Sequence, residues 1–290
     1  MLVVSDFDGT LAPITAPSVA FGSGAKIEPL ARRSLRRIAG IGHGDGGVIV
    51  AIISGRAVAD LAARVRVGGI RYVGNHGLET GTLARFRRAE RLAVVRQSGY
   101  ERHAAAAVVL ARSVAEALGR PAWLFLEEKG PSVAFHWRGA PDEDEAARLV
   151  ENAVAAALAD AAGTATFEPL HGRRILEMRP AGAGAKGQAV ARLLNEVRPA
   201  GVIVLGDDRS DAEAFAKVAA ARDEGRVTGA LAVAVHAADE APPEVAAAAD
   251  LVLASPREAS RLLAILASEL ERSWGRAVTR RASPGALPTG

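Results

Sequence analysis

The sequence predicts an α/β fold, a doubly wound parallel sheet with a Rossmann-like core and an inserted α+β cap. Short continuous apolar runs recur along the chain and end in small or acidic residues, which is typical of parallel strands buried on both faces. Segments with helical spacing separate these runs, so strands and helices alternate. In a sheet of this kind ligands bind beyond the carboxyl ends of the strands.

The apolar runs that we interpret as strands are Leu2 to Val4, Val48 to Ile53, Ile70 to Val73, Val202 to Leu205 and Leu231 to Val235. Helical spacing is found at Ala57 to Val65, Gln188 to Val197 and Asp211 to Ala221.

A middle segment breaks the alternation of strand and helix. Its pattern predicts the order αββαββ, with elements near 100–118, 122–129, 132–138, 142–161, 164–168 and 174–179. We therefore divide the chain into a catalytic core (1–83 and 179–270), an inserted cap (84–178) and a flexible tail rich in Pro, Gly and Ser (271–290).

Composition excludes several classes of protein. With 49% hydrophobic and 24% charged residues the chain is a folded one, and the absence of cysteine excludes disulfides and thiolate chemistry. No apolar stretch is long enough to cross a bilayer and no secretory signal is evident, so we expect a cytoplasmic protein. The arginines are scattered among acids rather than gathered in one stripe, which argues against nucleic acid as a partner. We expect a monomer acting on a small anionic substrate.

Two carboxylates follow the first predicted strand. Asp6 and Asp8 lie in the motif Ser-Asp-Phe-Asp-Gly-Thr, and the side-chain period of an extended chain points them the same way. Carboxylates held together resist joint ionisation, which suits a nucleophile paired with a group that carries a proton. The alternative is a solvated acidic turn.

A second acidic cluster, Gly-Asp-Asp-Arg-Ser-Asp, follows the predicted strand that ends at Leu205. If the two strands are parallel neighbours, Asp207 joins Asp6 and Asp8 at one sheet edge. Three carboxylates without cysteine indicate a hard cation with oxygen ligands, and Mg²⁺ is the first choice. Asp208 is also a plausible helix cap, so capping alone is the alternative.

Two further positions suit a phosphate group. Ser54 and Gly55 stand between a predicted strand and a predicted helix, where backbone amides form an anion cradle. Lys186 precedes another core helix in a chain of few lysines, and an ammonium suits a phosphate oxygen. A common strand-to-helix turn and a surface lysine are the alternatives.

Taken in order, these four motifs resemble those of haloacid dehalogenase phosphatases with a C2-type cap. The resemblance implies that Asp6 is the nucleophile and Asp8 the general acid and base. It also implies that Mg²⁺ is held by Asp6, Asp8 (through its carbonyl) and Asp207, with Asp208 and Asp211 around these ligands.

The predicted cap hairpin has one polar face and one apolar face. If its turn is Gly130-Pro131, the polar face carries Glu127, Lys129, Ser132, His136 and Arg138. From the residues alone, this face is either solvated sheet surface or a wall that binds a polyol.

The pattern of the hairpin is similar to that of trehalose-6-phosphate phosphatases, as are Gly-Asn-His-Gly-Leu-Glu after the third core strand and Leu-Glu-Met-Arg-Pro before the lysine motif. The resemblance implies hydrolysis of trehalose 6-phosphate. The substrate contacts it implies are Arg56, Asn75, His76, Glu127, Lys129, His136, Arg138 and Glu177.

Three alternatives stay open. Another sugar phosphate, such as sucrose phosphate or a mannosyl-glycerate phosphate, fits the same chemistry. A phosphoacceptor signalling domain also combines acids with lysine on a doubly wound sheet, but lacks a cap of this size. The third alternative is a non-catalytic sugar-phosphate binder on the same fold.

Overall fold

We describe a computed structural model of the chain, in residues 1–14, 25–41, 47–85, 92–160, 165–172, 174–181, 186–236 and 242–282. It confirms the predicted α/β class. Over these residues the strands form two sheets, one of eight strands in the order β12-β11-β10-β1-β2-β3-β4-β5 and one of four in the order β6-β7-β9-β8. The large sheet carries the strand ends at which the sequence predicts a site.

The strands of the large sheet are β1 (Leu2–Asp6), β2 (Ile49–Ile53), β3 (Arg71–Gly74), β4 (Glu79–Leu83), β5 (Leu92–Arg96), β10 (Gly201–Gly206), β11 (Gly229–Val235) and β12 (Leu251–Leu253). Those from β12 to β3 pair in parallel, whereas β4 and β5 pair antiparallel. Strand β1 is buried along its whole length, as a central strand of Leu and Val requires.

Helices cover both faces of the large sheet, as in a doubly wound fold. They are α1 (Pro29–Ile38), α2 (Val58–Val65), α5 (Lys186–Val197), α6 (Arg209–Asp223), α7 (Pro243–Ala247) and α8 (Pro256–Ala282). Two apolar clusters fill the space between helices and sheet. One contains Phe7 and Tyr72, and the other contains Val4 and Phe215.

The inserted segment has the predicted order of elements. It consists of α3 (Tyr100–Ala117), β6 (Phe125–Glu128), β7 (Val133–His136), α4 (Glu143–Asp160), β8 (Phe167–Gly172) and β9 (Ile175–Pro180). Phe125 pairs with His136 and Glu127 with Ala134, which is the pairing that the predicted turn at Gly130-Pro131 requires. Val133, Phe135 and Trp137 belong to the buried core beneath α3 and α4.

Two predicted boundaries differ from the structure. Strand β5 pairs with β4 in the large sheet, so the core sheet continues beyond residue 83 and the secondary structure of the insertion begins with α3. The segment predicted as a tail begins within α8, which continues through residues 271–282. Arg and Ala favour helix there, and the chain reaches Pro only at position 284. Residues 283–290 lie outside the described residues.

Among the described residues, no helix combines the length and the apolar character that crossing a membrane would need.

Candidate active site

Parallel pairing brings the predicted acidic residues to one edge of the large sheet. Strand β1 lies between β10 and β2, with Ser5 opposite Leu205 and Asp6 opposite Ile53. The residues that follow these strands, Asp207 and Ser54, therefore flank Asp6. The expectation that separate motifs meet at the carboxyl ends of neighbouring strands is confirmed.

Three carboxylates form a compact group at this edge. One oxygen each from Asp6, Asp207 and Asp211 lies within 4.8 Å of the others. The side chain of Asp8, predicted to help hold the cation through its carbonyl, is not in this group. Asp211 was predicted to lie around the ligands rather than among them, but its side chain belongs to this group. Asp211 comes this close because it forms a capping box with Asp208 at the start of α6, which turns its side chain back toward β10.

Gly9 lets the first motif approach this group. Its φ is +82°, and a Cβ atom placed on it would lie only 1.9 Å from Oδ2 of Asp207. Thr10 then donates a hydrogen bond of 2.9 Å from its hydroxyl to Oδ1 of Asp207. The turn after β1 therefore both admits and orients the carboxylate that follows β10.

Lys186 is buried at the centre of the acidic residues. Its Nζ lies 2.7 Å from Oδ1 of Asp6, 2.8 Å from Oδ2 of Asp211 and 3.3 Å from Oδ1 of Asp208. Burial alone lowers the pKa of Lys186, but Asp208, Asp211 and Asp6 outweigh it, so this pKa lies well above its ordinary value. The surface-lysine alternative is wrong, since this side chain is only 4% exposed.

One ammonium does not neutralise four carboxylates. If all of Asp6, Asp207, Asp208 and Asp211 are ionised, the group carries four negative charges against one positive charge, a net charge of −3. Burial, together with the neighbouring acids, raises the pKa of Asp6 well above its ordinary value and that of Asp207 to about 7. A bound cation would relieve this repulsion.

Asp6 supplies a second reason to expect a cation. Its Oδ2 is buried and has no hydrogen-bond partner among the described residues. A buried carboxylate oxygen without a partner is costly, and a hard cation is the natural partner for oxygens from three carboxylates. The side chains present therefore fit a divalent ion such as Mg²⁺.

Asp8 is held by Arg56 rather than by the acidic group. Nε and one terminal nitrogen of Arg56 donate hydrogen bonds of 2.7 Å each to the two oxygens of Asp8. The other terminal nitrogen donates a bond of 3.0 Å to Asp60. Arg56, predicted as a substrate contact, thus directs its donors to two carboxylates of the chain.

The predicted phosphate loop lies beside an unusual turn. Ser54 is buried and its hydroxyl accepts the backbone N–H of Arg56 at 3.2 Å. A Cβ atom on Gly55 would lie 2.8 Å from the ring of His76, so the loop and the imidazole are in contact. Asn75 and His76 both have positive φ, at 48° and 54°. Such strained backbone is retained chiefly at functional sites.

Asn75 and His76 place polar side-chain atoms at this turn, and several of these atoms have no hydrogen-bond partner among the described residues. Asn75 is 1% exposed, and neither its Oδ1 nor its Nδ2 has a partner among the described residues. The same holds for Nδ1 of His76. Buried groups of this kind can hydrogen-bond a ligand without first breaking a bond within the protein.

The polar face of the cap joins this turn through Glu177 on β9. Glu177 is 8% exposed and lies 3.3 Å from Nε2 of His76. It also accepts hydrogen bonds from Lys129 at 3.0 Å and from Ser132 at 3.2 Å. Burial raises the pKa of Glu177, but Lys129 and His76 outweigh it, so this pKa lies below its ordinary value. Core and cap are therefore linked by one buried polar network.

The remaining predicted cap residues divide into two groups. Nε2 of His136 lies 3.1 Å from Glu127, which is also 3.6 Å from Lys129. Both residues thus extend the network that begins at His76. Arg138 is exposed and has no hydrogen bond or ion pair within the part of the chain that the structure describes. Arg138 therefore makes no hydrogen bond or ion pair with the other predicted substrate contacts.

Sequence reasoning missed two residues of the site. Thr10 orients Asp207, and Asp60 binds the guanidinium that holds Asp8. Thr10 belongs to the first motif, so its position alone could have marked it. Asp60 lies four residues after Arg56, the spacing of side chains that meet on a helix, but Arg56 precedes the first residue of α2.

Comparison with known proteins identifies the same family for nearly the whole chain. The profile of the trehalose-phosphatase family matches residues 4–251. A trehalose-phosphate phosphatase of Mycobacterium avium is 31% identical over 287 residues, which cover 94% of this chain and 63% of that protein. An uncharacterized glycosyl hydrolase of Mycobacterium tuberculosis is 32% identical over 249 residues, which cover 81% of this chain and 16% of that protein. The chain thus spans less than two thirds of these relatives.

Solved structures share the fold at lower identity. A trehalose-6-phosphate phosphatase related protein superimposes with a TM-score of 0.68 at 19% identity, covering 94% of this chain and all of that one. The C-terminal domain of the Candida albicans trehalose-6-phosphate phosphatase gives 0.66 at 22% identity, with 92% and 91% covered. A haloacid dehalogenase-like hydrolase of Bacteroides thetaiotaomicron gives 0.53 at 18% identity, with 93% and 98% covered. The chain belongs to the trehalose-phosphatase family.

Proposed function

We propose that this protein hydrolyses trehalose 6-phosphate to trehalose and phosphate, with Asp6 as nucleophile and Mg²⁺ as cofactor. The observation that carries the proposal is the buried Asp6, which Lys186 holds at 2.7 Å beside an acidic group suited to a cation. Membership of the trehalose-phosphatase family supports the choice of substrate. We expect the reaction in the cytoplasm.

In the first half of the reaction, a carboxylate oxygen of Asp6 attacks phosphorus and the bond from phosphorus to the sugar oxygen breaks. Asp8 transfers a proton to the departing sugar oxygen, so trehalose leaves as a neutral alcohol. Lys186 keeps Asp6 in place and places positive charge beside the phosphoryl group. Ser54 and the backbone at Gly55 bind the phosphate oxygens from the other side.

In the second half, water attacks the phosphorus of the aspartyl phosphate and its bond to Asp6 breaks. Asp8, now a carboxylate, accepts the proton from that water. Phosphate leaves, and Asp6 returns to its starting form. The two halves require Asp8 to give one proton and to take one back, so the site is restored after each turnover.

The cation would be held by Asp6, Asp207 and Asp211, with Thr10 orienting Asp207 and Lys186 bridging Asp6 and Asp211. When bound, Mg²⁺ supplies positive charge that offsets the charge of the phosphate and of the acidic group. The backbone carbonyl of Asp8 stays a predicted further ligand.

The sugar would be bound by the polar network between core and cap. Asn75 and His76 offer buried polar atoms that have no partner among the described residues, and Glu177, Lys129, Glu127 and His136 line the adjoining face of the cap. Such groups discriminate strongly, because a ligand without matching hydroxyls leaves them unsatisfied. This argument favours a disaccharide phosphate over a small phosphate ester.

A panel of phosphate esters tests the proposal. Phosphate release would be measured with Mg²⁺ from trehalose 6-phosphate, sucrose phosphate, a mannosyl-glycerate phosphate and p-nitrophenyl phosphate, with Asp6→Asn as the control. We expect the highest kcat/KM for trehalose 6-phosphate. A higher kcat/KM for another sugar phosphate would change the proposed substrate and leave the proposed chemistry intact. No phosphate release from any ester would overturn both parts of the proposal.

A further inference from the structure

Asp8 is bound in a way that conflicts with its proposed role unless the contact opens. Both of its oxygens accept hydrogen bonds of 2.7 Å from Arg56. Each oxygen thus already accepts one guanidinium N–H, so a proton for the departing sugar is best placed when one of these two bonds has opened. If one bond opens and re-forms in each turnover, the guanidinium needs a second anchor to stay in place.

Asp60 provides that anchor. Its Oδ2 accepts a hydrogen bond of 3.0 Å from the terminal nitrogen of Arg56 that does not bind Asp8. A planar guanidinium that is hydrogen-bonded at two edges is more restricted in orientation than one bonded at a single edge. The guanidinium also lies 5.8 Å above the ring of Phe7, which is fully buried.

Asp60 also pairs with a second arginine on α2. Asp60 lies in the first turn of the helix, and Nε of Arg64 donates a hydrogen bond of 2.8 Å to the same oxygen. Arg64 in turn donates to the carbonyl of Ala25 at 3.2 Å. The side chain of Asp60 is 42% exposed, so it adds little to the packed core. Among the described residues the Asp60 carboxylate pairs with Arg56 and Arg64, and of these two Arg56 also binds Asp8.

We propose that Asp60 is a positioning residue for proton transfer: it anchors Arg56 while Asp8 exchanges between Arg56 and the reacting oxygen. The inference rests on the proposed function, because it assigns Asp8 the proton transfer to the leaving group. It gives Arg56 a different task from the substrate contact predicted from the sequence. Among the described residues Asp60 has no hydrogen bond or ion pair with the acidic group.

The test compares two variants of α2 on two kinds of substrate. Asp60→Ala removes the anchor of Arg56, whereas the matched control Arg64→Ala removes the other ion pair of Asp60 and leaves Asp8 and Arg56 untouched. Each variant is assayed with p-nitrophenyl phosphate, whose leaving group scarcely needs a proton, and with the sugar phosphate that the wild-type enzyme prefers. Thermal unfolding of both variants checks that each is folded.

We expect Asp60→Ala to lower kcat for the sugar phosphate roughly tenfold, a part of the 10²- to 10⁴-fold that a positioned acid contributes. KM should stay within about twofold, and so should both constants of Arg64→Ala and the rate of nitrophenol release from p-nitrophenyl phosphate in a single turnover with enzyme in excess, which reports the first half of the reaction alone. Asp60→Asn keeps an acceptor for Arg56 and should lie between wild type and Asp60→Ala.

Two results would overturn the role of Asp60 and leave the proposed function intact. One is an Asp60→Ala enzyme whose constants match those of Arg64→Ala on both substrates. The other is an equal loss in kcat for the sugar phosphate and in the single-turnover rate of nitrophenol release, which would place Asp60 in the binding of phosphate rather than in proton transfer to the leaving group. A wild-type enzyme that releases phosphate from no substrate would instead overturn the function together with this inference.

Discussion

Lys186 lies 2.7 Å from one oxygen of Asp6, and the other oxygen of Asp6 has no hydrogen-bond partner among the described residues. The ammonium binds one oxygen of the carboxylate and leaves the other oxygen for a further ligand. Burial raises the pKa of Asp6 well above its ordinary value, and the neighbouring acids add to this effect although Lys186 opposes it. Asp6 is therefore held in a state that a cation and a phosphate group would complete.

Asp6→Asn should abolish phosphate release and leave the protein folded. An amide does not form the covalent intermediate, yet it has nearly the same shape and avoids the burial of a charge. We expect a midpoint of thermal unfolding no lower than that of the wild type, measured without added cation. Asp223→Asn, an exposed acid that pairs only with Arg222 among the described residues, is the control and should keep full activity. Activity of Asp6→Asn above a few per cent would place the nucleophile elsewhere.

Asp207→Ala and Asp211→Ala should both raise the Mg²⁺ concentration needed for half-maximal activity, by roughly 10- to 100-fold. They should differ in stability. Asp211 accepts the backbone N–H groups of Asp207 and Asp208 and completes a capping box, so its loss should also cost about 1 to 2 kcal/mol of unfolding free energy. Magnesium titrations and urea unfolding measure the two effects separately.

Asp207 has no comparable structural role, and its raised pKa of about 7 reflects the cost of burying its charge. The stability of Asp207→Ala without cation should therefore stay close to that of the wild type. A chelator should inactivate the wild type, and excess Mg²⁺ should restore it. An unchanged Mg²⁺ requirement in both variants would exclude this acidic group as the cation site.

Glu127→Ala and Lys129→Ala should lower activity on a large sugar phosphate much more than activity on a small phosphate ester. Each removes charged hydrogen bonds worth roughly 1 to 3 kcal/mol, which predicts a loss of one to two orders of magnitude in kcat/KM for trehalose 6-phosphate. Hydrolysis of p-nitrophenyl phosphate should change far less. Glu128→Ala, on the same strand and exposed, is the control. Equal losses on both substrates would indicate a misfolded cap, and no loss would make this face ordinary solvated surface.

Acid should weaken the contribution of Glu177 to stability. The pKa of Glu177 in the folded protein lies below 4.5, its ordinary value, because Lys129 and His76 outweigh burial. The folded state therefore binds this proton less readily than the unfolded state, so the stabilisation is complete above about pH 4.5 and is lost as the pH falls below it. The difference in unfolding free energy between wild type and Glu177→Gln should be largest near neutral pH and shrink in acid.

Glu168→Gln is the matched control for this measurement, since Glu168 pairs with Arg179 on the adjoining strands β8 and β9 but lies at a more exposed position. Its difference from the wild type should be smaller at every pH. A difference between wild type and Glu177→Gln that stays constant from pH 7 to strong acid would contradict the assigned pKa direction.

The sequence predicted the parts of the fold that depend on apolar runs. A parallel strand buried on both faces, such as β1, is continuous in its hydrophobicity and is easily recognised. Strand β4 was missed because it is antiparallel and near the sheet edge. Buried Glu79, Gly81 and Leu83 alternate there with exposed threonines, so no apolar run marks the strand.

The sequence predicts the site residues that directly follow strands. It does not predict the hydrogen bonds and ion pairs that depend on side-chain conformation. Asp6, Asp207 and Lys186 meet because the backbone brings strand and helix ends together. The contact between Arg56 and Asp8 depends on side-chain rotamers across 48 positions of sequence, which spacing does not determine. Likewise, Asp211 approaches the cation group through a capping box, a detail of one helix start rather than of the motif order.

The most direct test of the central claim is to trap phosphate on Asp6. Asp8→Asn enzyme would be mixed with p-nitrophenyl phosphate, whose leaving group scarcely needs the proton that Asp8 supplies, so the first half of the reaction proceeds while release of phosphate by water is slowed. We predict a burst of nitrophenol close to one equivalent and, by mass spectrometry of quenched protein, a phosphoryl group on the peptide that contains Asp6. Nitrophenol release without a burst, or phosphate on a peptide that lacks Asp6, would contradict the account.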